Sequence, residues 1–234
     1  MSSFVAGYLV RDTIDEFLYI PIKDQHEDSD RFIADCEKVL GRPIKPIQSE
    51  EYRCVADVCR SYRFIASAYG AKCTEVLKKR VRKKWEWEHS DYEITYVWGM
   101  DLNEKDRADR LAEDMPQFKH EFPLIDHELT KADAHGICAS LGIKRPVMYD
   151  MGYSNNTCLG CVKGGKGYWN RIRTDFPNVF EDRAKMEREI GHSVLHDKTG
   201  PIFLDELDPN EGRMSEEIIE DCSIFCSIAI NENG

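Results

Sequence analysis

This chain of 234 residues holds no apolar run near the roughly 20 residues that a membrane-spanning helix needs. Its opening, MSSFVAGYLVRD, lacks the charged start, long apolar stretch and small-residue cleavage site of a secretory signal. Those absences set the expectation of a soluble, cytoplasmic protein with no membrane partner. Basic charge is short as well: 32 Lys and Arg against 43 Asp and Glu give a formal charge of −11. Nucleic acid is therefore not an expected partner, because gripping a duplex means neutralising its phosphates. No internal repeat or low-complexity linker interrupts the sequence. An even cysteine count is missing too. Nine cysteines in a chain with no export signal do not make a disulfide framework. Reduced thiols, a metal or cluster, or a reactive cysteine remain.

What is present fits an ordinary globular chain, with 41% hydrophobic and 10% aromatic residues. EFLYIPIK at 16–23 is a short apolar run rich in strand formers. DSDRFIADCEKVLG follows with a helical stripe that Gly41 stops. RPIKPIQS reads as extended, 51–69 and 73–89 as helices, and YEITYVWG at 92–99 as a strand. NEKDRADRLAEDM reads as a helix capped by Asn103, QFKHEFPLI as extended, and TKADAHGICASLG as a helix with a Thr130 capping box. Strand and helix alternate, which predicts an α/β fold with an open, mostly parallel sheet flanked by helices over residues 1–145. From 146 to 234 the pattern turns to loops around two short helices, near 168–176 and 178–190. That part is expected as an irregular subdomain over the sheet's carboxyl edge, where open α/β folds bind ligands.

Three groups of residues carry chemistry. KKRVRKK, from Lys78 to Lys84, has six basic residues in seven, either a solvated helix face or an anion site. Arg107 and Arg110 share a helix face, with Glu104 as an ordinary surface partner for Arg107. In NNTCLGCVKGGKGYWNRI, Cys158 and Cys161 stand at the mouth of a Gly- and Lys-rich loop. Two thiolates so placed can share a metal, form a redox pair, or pack. Lys163 and Lys166 would help keep them ionised. Cys73 and Cys138 are candidate completing ligands, with Cys222 and Cys226 of DCSIFC in reserve. Core packing competes for Cys138 and is the expectation for Cys36, Cys54 and Cys59.

Four segments in order, IKDQHEDSDRF, YGAKCTEVLKKRVRKKW, YVWGMDLNEKDRADR and GIKRPVMYDMGYSNNTCLGCVKGGKGYWNRIRTDFPNVF, resemble the phosphoadenosine phosphosulfate (PAPS) reductase-like proteins of the PP-loop, adenine nucleotide α-hydrolase superfamily. The resemblance covers most of residues 15–190. It implies a Rossmann-like fold, an adenine nucleotide (ATP, APS or PAPS) and a 4Fe–4S cluster, with zinc as the alternative. It places Asp24 and Glu27 at the adenosine, and Lys78, Lys79, Arg107 and Arg110 at a phosphate or sulfate. Gly99 would admit the substrate's phosphates. Cys73 would be a ligand with Cys158 and Cys161, although Thr74 stands where cluster-bearing members have a second cysteine. Ser2 and Ser3 look like the tail of the family's phosphate loop, whose strand and glycines this sequence lacks. The resemblance thus implies either a longer natural protein or a degenerate copy, and a gap or a shielded edge in the sheet beside 16–23. Cys222 matches the place of the reductases' nucleophilic cysteine, without the histidine that follows it there.

The functions in competition are a sulfonucleotide reductase or ATP pyrophosphatase-type sulfurtransferase, a nucleotide- or partner-binding protein without catalysis, and a zinc-stapled structural protein. Partners implied are a sulfur donor or thioredoxin-like reductant, with a homodimer left open.

Overall fold

The computed structural model describes residues 1–67, 70–198 and 200–213, and the backbone of the strand Phe225–Asn231. Helices form where the apolar spacing asks for them. The first, α1 (Ser2–Leu9), buries Phe4, Val5, Ala6 and Gly7, so it lies inside the molecule. In α2 (Asp28–Leu40), Phe32, Cys36 and Leu40 recur every four residues and are buried on one face. Asp28 and Asp30 set negative charge against the positive end of its dipole, and Gly41 ends it at φ 65°, a conformation glycine adopts without strain. α3 (Val55–Tyr62) is shorter than the stretch 51–69 suggests, because Arg63 turns into the left-handed region at φ 47°.

The next helical run is continuous but uneven. It passes from Lys72–Thr74 through a π-helical turn at Glu75–Lys79 into α4 (Arg80–Glu88). The remaining long helices are α5 (Lys105–Asp114), α6 (Lys131–Ser140), α7 (Lys166–Asp175) and α8 (Pro177–Ile190). Thr130 and Asp133 make the expected capping box on α6. Ahead of α5, however, the capping carboxylate is Asp101, which accepts from the Asn103 N–H at 2.8 Å, so Asn103 is the donor rather than the cap.

Five strands form the main sheet: β1 (Glu16–Tyr19), β2 (Ile44–Pro46), β3 (Glu93–Trp98), β4 (Lys119–Glu121) and β5 (Phe225–Asn231), in the order β2-β1-β5-β3-β4. β1 and β2 run parallel, as do β3 and β4, with α2 and α5 lying in their crossovers. β5 runs antiparallel to both of its neighbours: Leu18 and Trp98 each pair with Cys226, and Glu16 and Tyr96 each pair with Ile228. The protein is therefore mixed α/β, and two corrections follow. The sheet is not mostly parallel, and no gap stands beside β1, which is paired on both sides. Buried backbone N–H and C=O groups left bare at the centre of a sheet are expensive, and β5 satisfies them.

Strand periodicity sorts the core into two layers. Phe17 and Val97 face α1, α2 and α6, where they pack with Phe4, Val5, Phe32, Cys36, Leu124 and Cys138. Leu18, Tyr96 and Trp98 face the other way, onto Trp85, Met100, Ala108 and Met115. Past residue 146, Tyr168, Trp169 and Ile172 of α7 and Phe180 of α8 build a further core with Met148, Tyr153 and Cys161. Met186 and Ile190 join α8 to Val55, Val58 and Cys59 of α3, which fixes this part against the end of the sheet.

Candidate functional site

The carboxyl ends of β1 and β3 and the first turn of α1 enclose a cavity of about 150 Å³. Ser2, Ser3, Lys78, Gly99 and Cys158 line it, joined by Tyr19, Gln25, Asp101, Lys131 and Asn156. Segments from the start, middle and later part of the chain thus meet at one point. Gly99 is needed there for a different reason from the one the resemblance implies. A methyl group on it would overlap the Ser3 backbone, so its bare Cα admits α1.

Part of the cavity's polar wall is internally answered. The Tyr19 hydroxyl donates to Gln25 Oε1, which also accepts from the Ile22 N–H at 3.0 Å. Burial pushes the Tyr19 phenol up to about 12. Lys131 Nζ reaches the Ser154 carbonyl and Asn155 Oδ1, both at 2.7 Å, and Asn156 Nδ2 reaches Ser29 Oγ at 3.2 Å. Sequence reasoning passed over Lys131 and Gln25, and no spacing in the chain flags them; only the fold carries them to the cavity.

Asp24 does other work. One carboxylate oxygen pairs with the buried guanidinium of Arg183, and the other accepts from the Val55 N–H at 2.6 Å, at the start of α3. Asp24 does not line the cavity, and Glu27 is exposed outside it. What Asp24 does provide is an anchor. Its carbonyl accepts from the Leu159 N–H at 2.7 Å, and Gln25 bridges to Cys158, so the CxxC loop is tied to the end of β1. The Tyr168 hydroxyl closes that loop from below, accepting from the Cys161 N–H at 3.1 Å and donating to the Cys158 carbonyl at 3.3 Å.

The cysteines separate into neighbourhoods. Cys73 and Cys158 share one apolar cluster, and Cys161 lies buried in the adjoining one. Cys138 is not with them. It sits beside Cys36 in the layer under α1, where burial pushes both thiols up. Cys59 is buried as expected, while Cys54 caps α3, its sulfur accepting from the Asp57 N–H at 3.4 Å. Lys166 points elsewhere, held by Asp197 at 2.8 Å and Glu211 at 3.0 Å. Among the described residues no three His, Cys, Asp or Glu side chains are gathered as a metal site. Cys222 lies outside the described residues.

The basic run does not form a single pocket with the arginine face. Lys78 enters the cavity, while Lys79, Arg82, Lys83, Arg107 and Arg110 line a second, open cleft of about 1080 Å³, with Lys163 from the CxxC loop. Consecutive residues on a helix project roughly 100° apart, so Lys78 and Lys79 face different sides of the run Lys72–Glu88. Arg107 does pair with Glu104.

One buried charge was not anticipated. Glu187 on α8 accepts from the Leu204 N–H at 2.6 Å and from the Val194 N–H, and so holds the segment around Ser193 and Leu204 onto that helix. Burial pushes its carboxyl up to about 7.

Comparison of this chain with protein-family models, with curated proteins and with solved structures found no match.

Proposed function

We propose that the cavity binds an adenine nucleotide, and that the chain is a PAPS reductase-like protein of the PP-loop type with a Rossmann-like sheet. The observation that carries this reading is the meeting of Ser2, Ser3, Lys78, Gly99 and Cys158 at the carboxyl edge of β1 and β3. At about 150 Å³ the cavity is smaller than the roughly 300 Å³ at which small-molecule sites begin. It suits the phosphate or sulfate end, with the rest of the nucleotide in its mouth. Lys78 would supply the counter-charge, and the Ser2 and Ser3 hydroxyls with the first N–H groups of α1 would donate to the anion.

The chemistry proposed is sulfur transfer or reduction, and Cys158 in the cavity wall, with Cys73 in its cluster and Cys161 in the adjoining one, supports it. Cys73, Cys158 and Cys161 are the thiolates to which the resemblance assigns a 4Fe–4S cluster or a zinc ion, a soft donor set that suits either. Such a group would supply electrons or hold the loop. Cys138, in another layer, is left out of this set. Gly99 filled by α1 and an antiparallel β5 at the centre of the sheet favour a second reading, nucleotide binding without turnover.

Calorimetry with ATP, APS and PAPS tests the first reading. Lys78→Ala should weaken the best ligand about ten- to a hundredfold, the worth of one charge-assisted bond of roughly 1.5–3 kcal/mol. No heat with any of the three sinks it. Metal and acid-labile sulfide analysis after anaerobic purification, repeated on Cys158→Ser and Cys161→Ser, tests the cofactor; metal fully retained in both variants removes these thiols as ligands.

A further inference from the structure

The second cleft stands apart from the cavity and needs its own account. It lies between the helical run Lys72–Glu88 and α5, above Trp98 and Met100 at the end of β3. Seven of its lining residues are basic and three acidic, on a chain whose net charge is −11. Two of the carboxylates are already answered, Glu75 by Lys72 and Arg80, and Glu86 by Arg82 and the Tyr96 hydroxyl. Lys79, Lys83, Arg110 and Lys163 make no ion pair among the described residues; of the lining carboxylates only Asp114 is likewise unanswered. Lys79 and Lys83 stand one helical turn apart, a like-charge pair that weakens a helix unless something negative lies across it.

We propose that this cleft binds the sugar–phosphate backbone of a single-stranded nucleic acid. The four unanswered cations come from three separate segments, and Lys79, Lys83 and Arg110 are exposed. A compact phosphate is held instead by convergent, partly buried donors in a tight loop. The space, about 1080 Å³, is open along its length and several times that of the cavity. A chain of phosphates matches cations spread along an open groove. Tyr62 and Phe64 stand half-buried on its wall, Tyr62 already beneath Lys72 and Arg80 and Phe64 against His192, so the strand is held by its backbone charge more than by its bases. The negative charge elsewhere does not forbid this, because fields fade over about 10 Å at 0.1 M salt. This inference does not rest on the nucleotide reading of the cavity.

Fluorescence anisotropy with labelled 20-mers of oligouridylate and oligothymidylate, at 50 and 200 mM salt, tests it on the full chain. Neutralising four phosphates of a single strand predicts a roughly fiftyfold loss of affinity across that fourfold salt step. The double variant Lys79→Glu/Lys83→Glu should abolish binding at 50 mM salt. Lys79→Gln/Lys83→Gln, the milder pair, should roughly halve the salt slope with an unchanged melting temperature. Lys38→Glu, on the exposed face of α2, should leave affinity intact. Absence of binding at 50 mM salt overturns the proposal, as does equal binding by either double variant. Displacement by polyglutamate at matched charge would assign the cleft to an acidic protein, and displacement by micromolar tripolyphosphate to a compact anion; either result overturns it too.

Discussion

One peptide bond separates Lys78 from Lys79, yet the spaces they enter are opposites. In the cavity much of the polar wall is paired within itself, Tyr19 with Gln25, Lys131 with Ser154 and Asn155, Asn156 with Ser29, and one cation, Lys78, stands among these fixed groups. In the cleft four cations stand without a carboxylate among the described residues. A wall whose donors and acceptors are fixed by each other keeps its shape and discriminates by geometry. A wall of loose, solvated cations discriminates by charge and tolerates many shapes. The difference teaches that a run of like residues need not act as a unit; ordinary helical winding divides it between two kinds of recognition.

The comparison breaks most completely at the loop both spaces share. Cys158 lines the cavity and Lys163 the cleft, and the loop between them hangs from Asp24, which Arg183 holds. Arg183→Ala leaves the buried Asp24 carboxylate without its cation, at a cost of about 3–5 kcal/mol. For a chain of this size that corresponds to a drop of roughly 10 °C in Tm. Calorimetric melting reads it, and both ligands should lose affinity together. An unchanged Tm would show that the pair is not holding the loop.

Glu187 sharpens the comparison, because it is a buried charge answered only by backbone. It lies one turn beyond Arg183 on α8. Its carboxyl is raised in the fold from an ordinary 4.5 to about 7, so its contribution to stability is complete below pH 4.5 and is lost as pH rises through 7. The protein should therefore lose about 3 kcal/mol between those values from this group. Denaturant titrations across that window on the native chain and on Glu187→Gln check it; an identical slope in both would remove Glu187 as the source.

The smallest effect is the most specific. Lys79→Ala should leave nucleotide affinity in the cavity unchanged while weakening the oligonucleotide severalfold, and Lys78→Ala should do the reverse, by roughly 1.5–3 kcal/mol at the nucleotide. Parallel titrations of the two ligands decide it. Equal losses from both variants would mean that the spaces act as one.

Local features of this fold could be read from the chain. The stripe Phe32–Cys36–Leu40, the box Thr130–Asp133 and the stop at Gly41 are each complete within a few residues. The CxxC loop could be recognised from its own residues, whereas its ties to Asp24 and Gln25 at the end of β1 could not. Distant pairings were not legible. Asp24 reads as a loop carboxylate until Arg183, 159 residues later, takes it. FCSIAIN has the alternation and branched residues of a strand, but nothing local says that it runs backwards between β1 and β3. Helical periodicity already sets Lys78 and Lys79 on different faces, but nothing local says which space each face meets.

The central place of β5 has a consequence for biosynthesis. β1 and β3 emerge from the ribosome with their facing edges bare, and the strand that joins them follows more than 120 residues after Trp98. At about 5–20 residues per second, that delay is on the order of ten seconds. Through that interval two parallel strand pairs await a common neighbour, and each exposes an edge able to capture any passing strand. Closure then spans more than 200 residues of sequence, from Glu16 to Ile228, the kind of contact that makes folding slow. The nascent chain is thus most vulnerable to misassembly and chaperone capture late in translation, when almost all of its helices are already made.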